Sequence, residues 1–426
     1  MALRDTAATR TVRTRPAASS RHNGHAPAAP AAAILVVVGT RPEVIKLAPV
    51  VRALESDARF VIRLCVVAQQ GELLDQALHE WGLRADYHVA VPGPDRRLAS
   101  SLAQMLPGLA DVIAEAQPEM VIVEGDTTTN LAAALAAFYA GVPVAHVEAG
   151  LRSGDPQQPF PEEMHRILVD RIASVHYAPT IGARQNLLAE NLLEGDRAMV
   201  VGNTVVDALL SAARDPAILT TALPADRRVL LATAHRRENF GNGIESICRA
   251  VQRLATERDD LDVVFVLHSN PAAFGPVRAA LGGLANVHLI EPQPYRAFVK
   301  LLARADIVLT DSGGVQEEAP YLGTPVLVTR ELTERPEASE AGAAWIVGTD
   351  SNAIVDAVNR LLDDEQLYAR MARHISPYGD GRAAERIRAD LSRRLAHNEA
   401  RQPMRPADPV GDMQLLPVMS QAKLAS

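Results

Sequence analysis

Cysteine is nearly missing from this chain: its 426 residues include two, Cys65 and Cys248, each inside an apolar run. Two thiols cannot build a disulfide framework, so they read as small buried hydrophobes, and a reducing setting, the cytoplasm, is expected. A cationic excess is missing too. The net charge of −8 leaves no electrostatic footprint for nucleic acid or an anionic membrane, so any phosphate must be held by a local site. No apolar run is long enough to span a bilayer; Ala31–Val38 is the start of a strand that leads into GTRPE. There is no HExxH, no Cys/His cluster and no EF-hand spacing, so neither a metal cage nor a metal cofactor is expected. GxSxG, GxGxxG and GxxxxGK[ST] are likewise absent, which argues against a serine hydrolase, a nicotinamide enzyme and a P-loop NTPase.

What is present is an α/β pattern. With 48% hydrophobic and 22% charged residues, the chain is long enough for two cores, since single cores stop growing near roughly 250–300 residues. Short Val/Ile/Leu/Ala runs at 34–39, 60–68, 120–126, 142–149 and 174–180, then at 228–233, 262–268, 287–291, 305–311, 324–329 and 344–348, alternate with helical stretches. Continuous apolar runs of this kind are strands buried on both faces by crossover helices. The expected fold class is therefore α/β, two doubly wound Rossmann-like domains facing across a cleft, over residues 31–200 and 203–378. A Pro- and Thr-bearing stretch, ILTTALPAD, marks the boundary near 200–225. Residues 1–30 and 397–426 lack hydrophobic period and read as disordered tails.

At least five strand-to-helix junctions carry ionisable residues: GTRPEVIK (39–46), EGDTTTN (124–130), HVEAGLRSG (146–154), TAHRREN (233–239) and TDSGGVQEE (310–318). In an open parallel sheet these are the ligand-binding positions. GTRPEVIK sets Arg41 before a proline suited to the first helical position and Lys46 about one turn on, which aims two cations at one anion. Ser312, Gly313 and Gly314 offer backbone N–H groups to a phosphate with no side chain in the way. A diphosphate held without a Walker lysine suggests a sugar nucleotide. Asp126, Glu148, Glu162 and Glu163 sit at strand ends or in the first turn of a helix. Each has a bland alternative as a helix cap or dipole partner, with Glu162 pairing Arg166 one turn on. As a set facing a cationic site, such acids can move protons on both faces of a substrate. His235 and His268 also end strands, and His235 beside Arg236 and Arg237 can help neutralise a leaving phosphate.

The segments GTRPEVIKLAP, EGDTTTNLAAALAAFY, HVEAGLRSGD, PFPEEMHR, GNTVVDAL, TAHRRENFG, TDSGGVQEEAPYLGTPVLV, TERPEA and PYGDGRAAERI occur in order between Ile34 and Ile387. Together they closely resemble the non-hydrolysing UDP-N-acetylglucosamine 2-epimerases. The resemblance implies a GT-B fold in which a C-terminal helix, 381–396, returns to the first domain. It implies a homodimer with a UDP-sugar substrate and no cofactor. The implied chemistry eliminates UDP to give a 2-acetamidoglucal, then re-adds it from the opposite face to yield the manno epimer. Asp126, Glu148 and Glu162 then match catalytic carboxylates, and His235 a histidine near the diphosphate. Arg41, Lys46, Ser312, Gly313 and Gly314 match diphosphate contacts, Glu318 a ribose contact, and Phe298 a uracil-stacking ring.

Several residues depart from the family pattern. AQQG replaces AQHR at 68–71, PEEMHR replaces PEExNR so that His165 stands one turn from Glu162, and Glu124 adds a carboxyl beside Asp126. By resemblance, Gln69, Gln70, Arg236 and His268 belong to the region that binds a second, activating UDP-sugar, and His165 lies near the sugar pocket. The departures leave open another UDP-2-acetamido sugar as substrate. A hydrolysing 2-epimerase, a GT-B glycosyltransferase and a silent sugar-nucleotide binder also remain open at this stage.

Overall fold

In the computed structural model of the chain, which describes residues 31–68, 72–91, 97–190, 197–214, 226–234, 236, 239–267 and 271–398, the run AAILVVV forms strand β1 (Ala32–Val38). Side chains alternate across a strand, and here both sides are apolar. Ile34, Val36 and Val38 enter one core, while Leu35 and Val37 enter another on the opposite face of the sheet. Each such side chain contributes roughly 1.5–3 kcal/mol by burial, which is why the run carries no polar residue. The strands that follow are β2 (Phe60–Ala68), β3 (Tyr87–Ala90), β4 (Met120–Glu124), β5 (Val144–Val147), β6 (Val175–Ala178) and β7 (Ala198–Val200). They form one parallel seven-stranded sheet in the order β3-β2-β1-β4-β5-β6-β7.

The second sheet repeats the plan. Strands β8 (Arg228–Thr233), β9 (Leu261–Val266), β10 (Val287–Ile290), β11 (Ile307–Thr310), β12 (Val326–Val328) and β13 (Ala344–Ile346) align in parallel in the order β10-β9-β8-β11-β12-β13. Leu230 and Ala232 of β8 face one core, Val229 and Leu231 the other. The eleven apolar runs read from the sequence all appear as strands, with ends shifted by up to two residues. Two strands were missed, β3 (YHVA) and β7 (AMV), and both are edges of the first sheet. Edge strands are short and not enclosed on every side, so they lack the continuous apolar signature.

Between the sheets lies helix Thr204–Ala213, opened by Asn203, whose side chain accepts the Val205 N–H. Its Val205 and Val206 join a core of the second sheet, whereas Ala208, Leu209 and Ala212 join a core of the first. Assigning it wholly to residues 203–378 overlooked that shared role. Helix Ala383–Asn398 runs two residues into the stretch read as a tail. Its Ala383, Ala384, Ile387, Leu391 and Leu395 complete the same core as β1. The Tyr177 hydroxyl donates to Asp390 at 3.0 Å, and Asp207 caps the helix start through the N–H groups of Ala383 and Ala384. Where the two connections between the sheets cross, Asn203 N–H donates to Tyr378 O at 2.6 Å. A Cβ at Gly379, whose φ is +119°, would lie 2.9 Å from Gly202 Cα, so only glycine permits the crossing. Cys65 and Cys248 are both buried and unpaired; burial pushes their thiols up to about 12 and about 11. Among the described residues no helix is long and apolar enough to cross a membrane. The tails 1–30 and 399–426 and most of ILTTALPAD lie outside the described residues.

Candidate active site

Doubly wound sheets bind ligands at the carboxyl ends of strands where the order reverses. In this fold those points are β1/β4 and β8/β11. A cavity of about 1020 Å³ is lined from both. Arg41, Lys46, Asp126, Glu148, Glu162, His165, Arg236, Phe298, Ser312, Gly313, Gly314 and Glu318 all line it. Gln69, Gln70, His235 and His268 fall outside the described residues.

On the first sheet, Gly39 ends β1 with no room for a side chain, since a Cβ there would lie 2.2 Å from Thr129 Oγ1. Helix Arg41–Glu55 begins at Arg41 itself, which puts Pro42 second rather than first. Glu43 turns back to accept the N–H groups of Gly39 and Thr40 at 2.6 and 2.7 Å, and the Thr127 hydroxyl at 2.5 Å. One buried carboxyl thus fastens the lip after β1 to the lip after β4. Arg41 reaches across the cleft, donating to the Gln293 carbonyl at 2.5 Å.

On the second sheet, Ser312 precedes helix Gly313–Tyr321 and its side chain makes no capping hydrogen bond. The helix start therefore offers N–H donors and the positive end of the dipole to the cavity. The two glycines serve different ends. A Cβ at Gly314 would meet open space, but one at Gly313 would lie 2.7 Å from Arg335 Nη1. Gly313 thus makes room for a guanidinium. Phe298 is half-buried on helix Tyr295–Arg304, and the Tyr295 hydroxyl donates to Glu318 at 2.7 Å.

Buried charge dominates the space between the two crevices. Lys46 contacts Glu124 Oε1 at 3.0 Å and Glu148 Oε2 at 2.5 Å. Its ammonium is held between two carboxylates at the wall of the cavity. Burial alone would lower the Lys46 pKa, but Glu124 and Glu148 raise it on balance. Glu148 also accepts from Arg335 Nη2 at 3.1 Å and from Asn203 Nδ2 at 2.7 Å. Burial pushes its carboxyl up, but Lys46 and Arg335 pull harder and hold it at about 2. The cations on both of its oxygens favour the ionised form. Glu124 shares Lys46 without a second cation, and burial drives its carboxyl well above the usual range. On balance burial thus opposes its ionisation, in contrast with Glu148.

Arg335 continues the network to Glu317 at 2.6 Å and to Glu334, and Asn203 Nδ2 donates to Glu317 at 2.8 Å. Burial pushes Glu317 and Glu318 up to about 7. Arg335, Arg330 and their neighbours hold buried Glu334 well below the usual range. Sequence reasoning missed Arg335, Glu317, Glu334, Asn203 and Glu43; the available signal was charge embedded in otherwise small or apolar segments.

Asp126 and Glu162 are placed differently from Glu148. Asp126 is partly exposed to the cavity and takes Arg166 Nη2 on one oxygen at 2.5 Å. His165 Nδ1 lies 3.0 Å from the Asp126 carbonyl. Arg166 also meets Glu163 at 3.3 Å, so the expected Glu162–Arg166 pair does not form. Instead Glu162, at the start of helix Glu162–Ile172, presents one buried carboxylate oxygen with no hydrogen-bond partner.

Comparison with known proteins agrees with this geometry. Residues 52–392 match the family described as UDP-N-acetylglucosamine 2-epimerase. The chain belongs to that family. It is 48% identical over 365 residues to the UDP-N-acetylglucosamine 2-epimerase of Escherichia coli K12, covering 83% of this chain and 96% of that one. It superposes with a TM-score of 0.83 and 41% identity on the crystal structure of the Neisseria meningitidis UDP-GlcNAc 2-epimerase bound to UDP-GlcNAc, covering 85% of this chain and all (100%) of that one. Similarity to MnaA of S. aureus, solved with UDP, has a TM-score of 0.80 at 40% identity, over 86% and 97% of the two chains. Family membership makes this chain an epimerase with the GT-B arrangement of two Rossmann-like domains.

Two outcomes are expected from the buried charges. Lys46→Met strands Glu124 and Glu148 and should cost about 3–5 kcal/mol in urea unfolding, whereas Glu124→Gln, isosteric with the neutral form, should cost less than about 1 kcal/mol. Equal losses would show that Glu124 is an anion. The raised Glu318 pKa carries its own sign. Between the ordinary 4.5 and about 7 the folded state binds more protons than the unfolded, so stability falls as pH rises through that window, by up to about 3 kcal/mol for this group. Melting temperature scanned from pH 5 to 8 should drop less in Glu318→Gln than in wild type; parallel curves would refute the shift.

Proposed function

We propose that the chain interconverts UDP-N-acetylglucosamine and UDP-N-acetylmannosamine without hydrolysis. Carbon 2 of the sugar sits beside an acetal, so its proton is not acidic and enolisation is closed. Epimerisation must break the bond from carbon 1 to the diphosphate oxygen while a base takes the carbon 2 proton. The C–H electrons form the carbon 1–carbon 2 double bond, and the diphosphate leaves with the C–O pair. Re-addition reverses each transfer from the opposite face. The scheme is redox-neutral.

The observation that carries this proposal is the meeting, in one cleft, of a free helix start at Ser312–Gly314 with Asp126 and Glu162 from the opposite sheet. The first suits a leaving diphosphate, together with Arg41 and Arg236. The second supplies acids able to act at carbon 2. Asp126 keeps one oxygen clear of Arg166, and the unpartnered Glu162 oxygen gains a hydrogen bond when a substrate arrives. Glu148 stays ionised and anchors Lys46 and Arg335. Phe298 stacks on uracil and Glu318 accepts from the ribose. We further propose that the enzyme acts in the cytoplasm, where its two unpaired cysteines stay reduced, and as a homodimer. Exposed Phe138 and Tyr139 on helix Thr128–Tyr139, with Met164 and Leu168 on its neighbour, support a covered face.

Incubation with UDP-N-acetylglucosamine in deuterated buffer, read by proton NMR, should give a manno signal with deuterium at carbon 2 and the UDP linkage intact. Free sugar with UDP would move the chain to hydrolysis. Asp126→Asn should lower turnover by about 100-fold or more and leave UDP affinity within a few-fold; lost UDP binding would make Asp126 structural. Light scattering should give the mass of two chains, and a mass of one would remove the dimer.

A further inference from the structure

Beneath the cleft lies a second set of buried polar groups to which no step of the proposed reaction assigns a part. Asp170, on helix Glu162–Ile172, is fully enclosed. Its Oδ1 lies 2.6 Å from His146 Nδ1. Its Oδ2 accepts the Gly150 N–H at 3.2 Å and Arg152 Nη1 at 2.8 Å. His146, also fully enclosed, sets Nε2 2.8 Å from the Gly125 carbonyl. A carbonyl only accepts, so Nε2 must carry a proton.

The two ends of this chain of bonds are the turns that carry Asp126 and Glu148. Gly125, at φ +77°, immediately precedes Asp126. Glu148 and Gly150, at φ +64° and +86°, bracket the turn after β5. Glu148 holds a left-handed conformation that non-glycine residues avoid, and such a conformation persists only when its surroundings over-determine it. Asp170 grips that turn directly and the other through His146. We propose that Asp170 and His146 are positioning residues that fix the Gly125–Asp126 turn and the Glu148–Gly150 turn in register with each other. The inference rests on the proposed epimerase reaction, in which Asp126 acts on the substrate and the pair acts through Asp126.

Three substitutions separate positioning from plain structural support. In Asp170→Asn, the side-chain oxygen can take Gly150 N–H and Arg152 while the amide donates to Nδ1 of a neutral His146, so every bond survives and kcat should stay within about 3-fold of wild type. His146→Asn keeps a group near Asp170 but cannot reach Gly125. It should lower kcat by about 100-fold, the penalty of a misplacement near 1 Å, with KM and calorimetric UDP affinity changed less than about 3-fold. His146→Gln, whose amide reaches toward Gly125, should recover much of that loss. Wild-type kcat in His146→Asn, or UDP affinity falling in step with kcat, would overturn the proposal, as would Asp170→Asn and His146→Asn being equally impaired. If wild type itself does not place deuterium at carbon 2, the epimerase reaction falls instead. The hydrogen bonds are then judged separately by histidine nitrogen NMR, where a His146 Nε2 lacking its proton would break the link to Gly125 whatever the turnover.

Discussion

The carboxylate of Glu148 is the point at which the two halves of this molecule meet electrostatically. It belongs to the first sheet, yet Arg335, a residue 187 positions away in sequence, supplies one of its cations from the second. Lys46 and Asn203 take the rest of its hydrogen-bonding capacity. Taking four such groups out of water is costly, and the cost is recovered only while all remain together. The relative placement of the sheets therefore depends on a charge balance. A displacement that parts Arg335 from Glu148 leaves both buried and underpaired, which makes the closed arrangement sharply defined.

That balance also separates the acidic residues of the cleft into kinds. Glu148 and Glu334 have more cationic neighbours than they need and remain ionised. Glu124, Glu317 and Glu318 have fewer, and burial dominates. Asp126, which is partly exposed, and Glu162, one of whose buried oxygens has no hydrogen-bond partner, line the same cavity outside that network. This last kind keeps a carboxylate oxygen that no cation holds, which is what proton transfer to a bound molecule demands. A site with many carboxylates thus contains few available for chemistry, because most are held by the cations that keep the sheets in place.

Most strands were legible because a strand buried on both faces must be apolar throughout, and no other element of that length is. Edge strands β3 and β7 escaped because this requirement relaxes at an edge. Cleft residues were legible for a similar reason: Arg41, Asp126, Glu148 and Ser312 stand at strand ends, and in this topology strand ends converge. Countercharges were not. Whether Lys46 faces a phosphate or two carboxylates depends on Glu124 and Glu148, which approach it from 78 and 102 residues away. Nothing near Lys46 in sequence announces them. The i, i+4 expectation for Glu162 and Arg166 failed for the same reason, since Asp126 from another strand offered Arg166 the better partner.

The return of helix Ala383–Asn398 to the first sheet has a consequence for how the chain is made. The strands of that sheet are complete by Val200, but Ile387, Leu391 and Leu395, which cover the core behind β1, are among the last described residues. On a ribosome adding about 5–20 residues per second, the intervening stretch takes roughly 10–40 s. Throughout that interval the nascent first domain carries an uncovered apolar strip, with Asp390 not yet present to meet the buried Tyr177 hydroxyl. Synthesis order and folding order are therefore out of step, and the nascent chain depends on holding that strip away from other chains until its own end arrives.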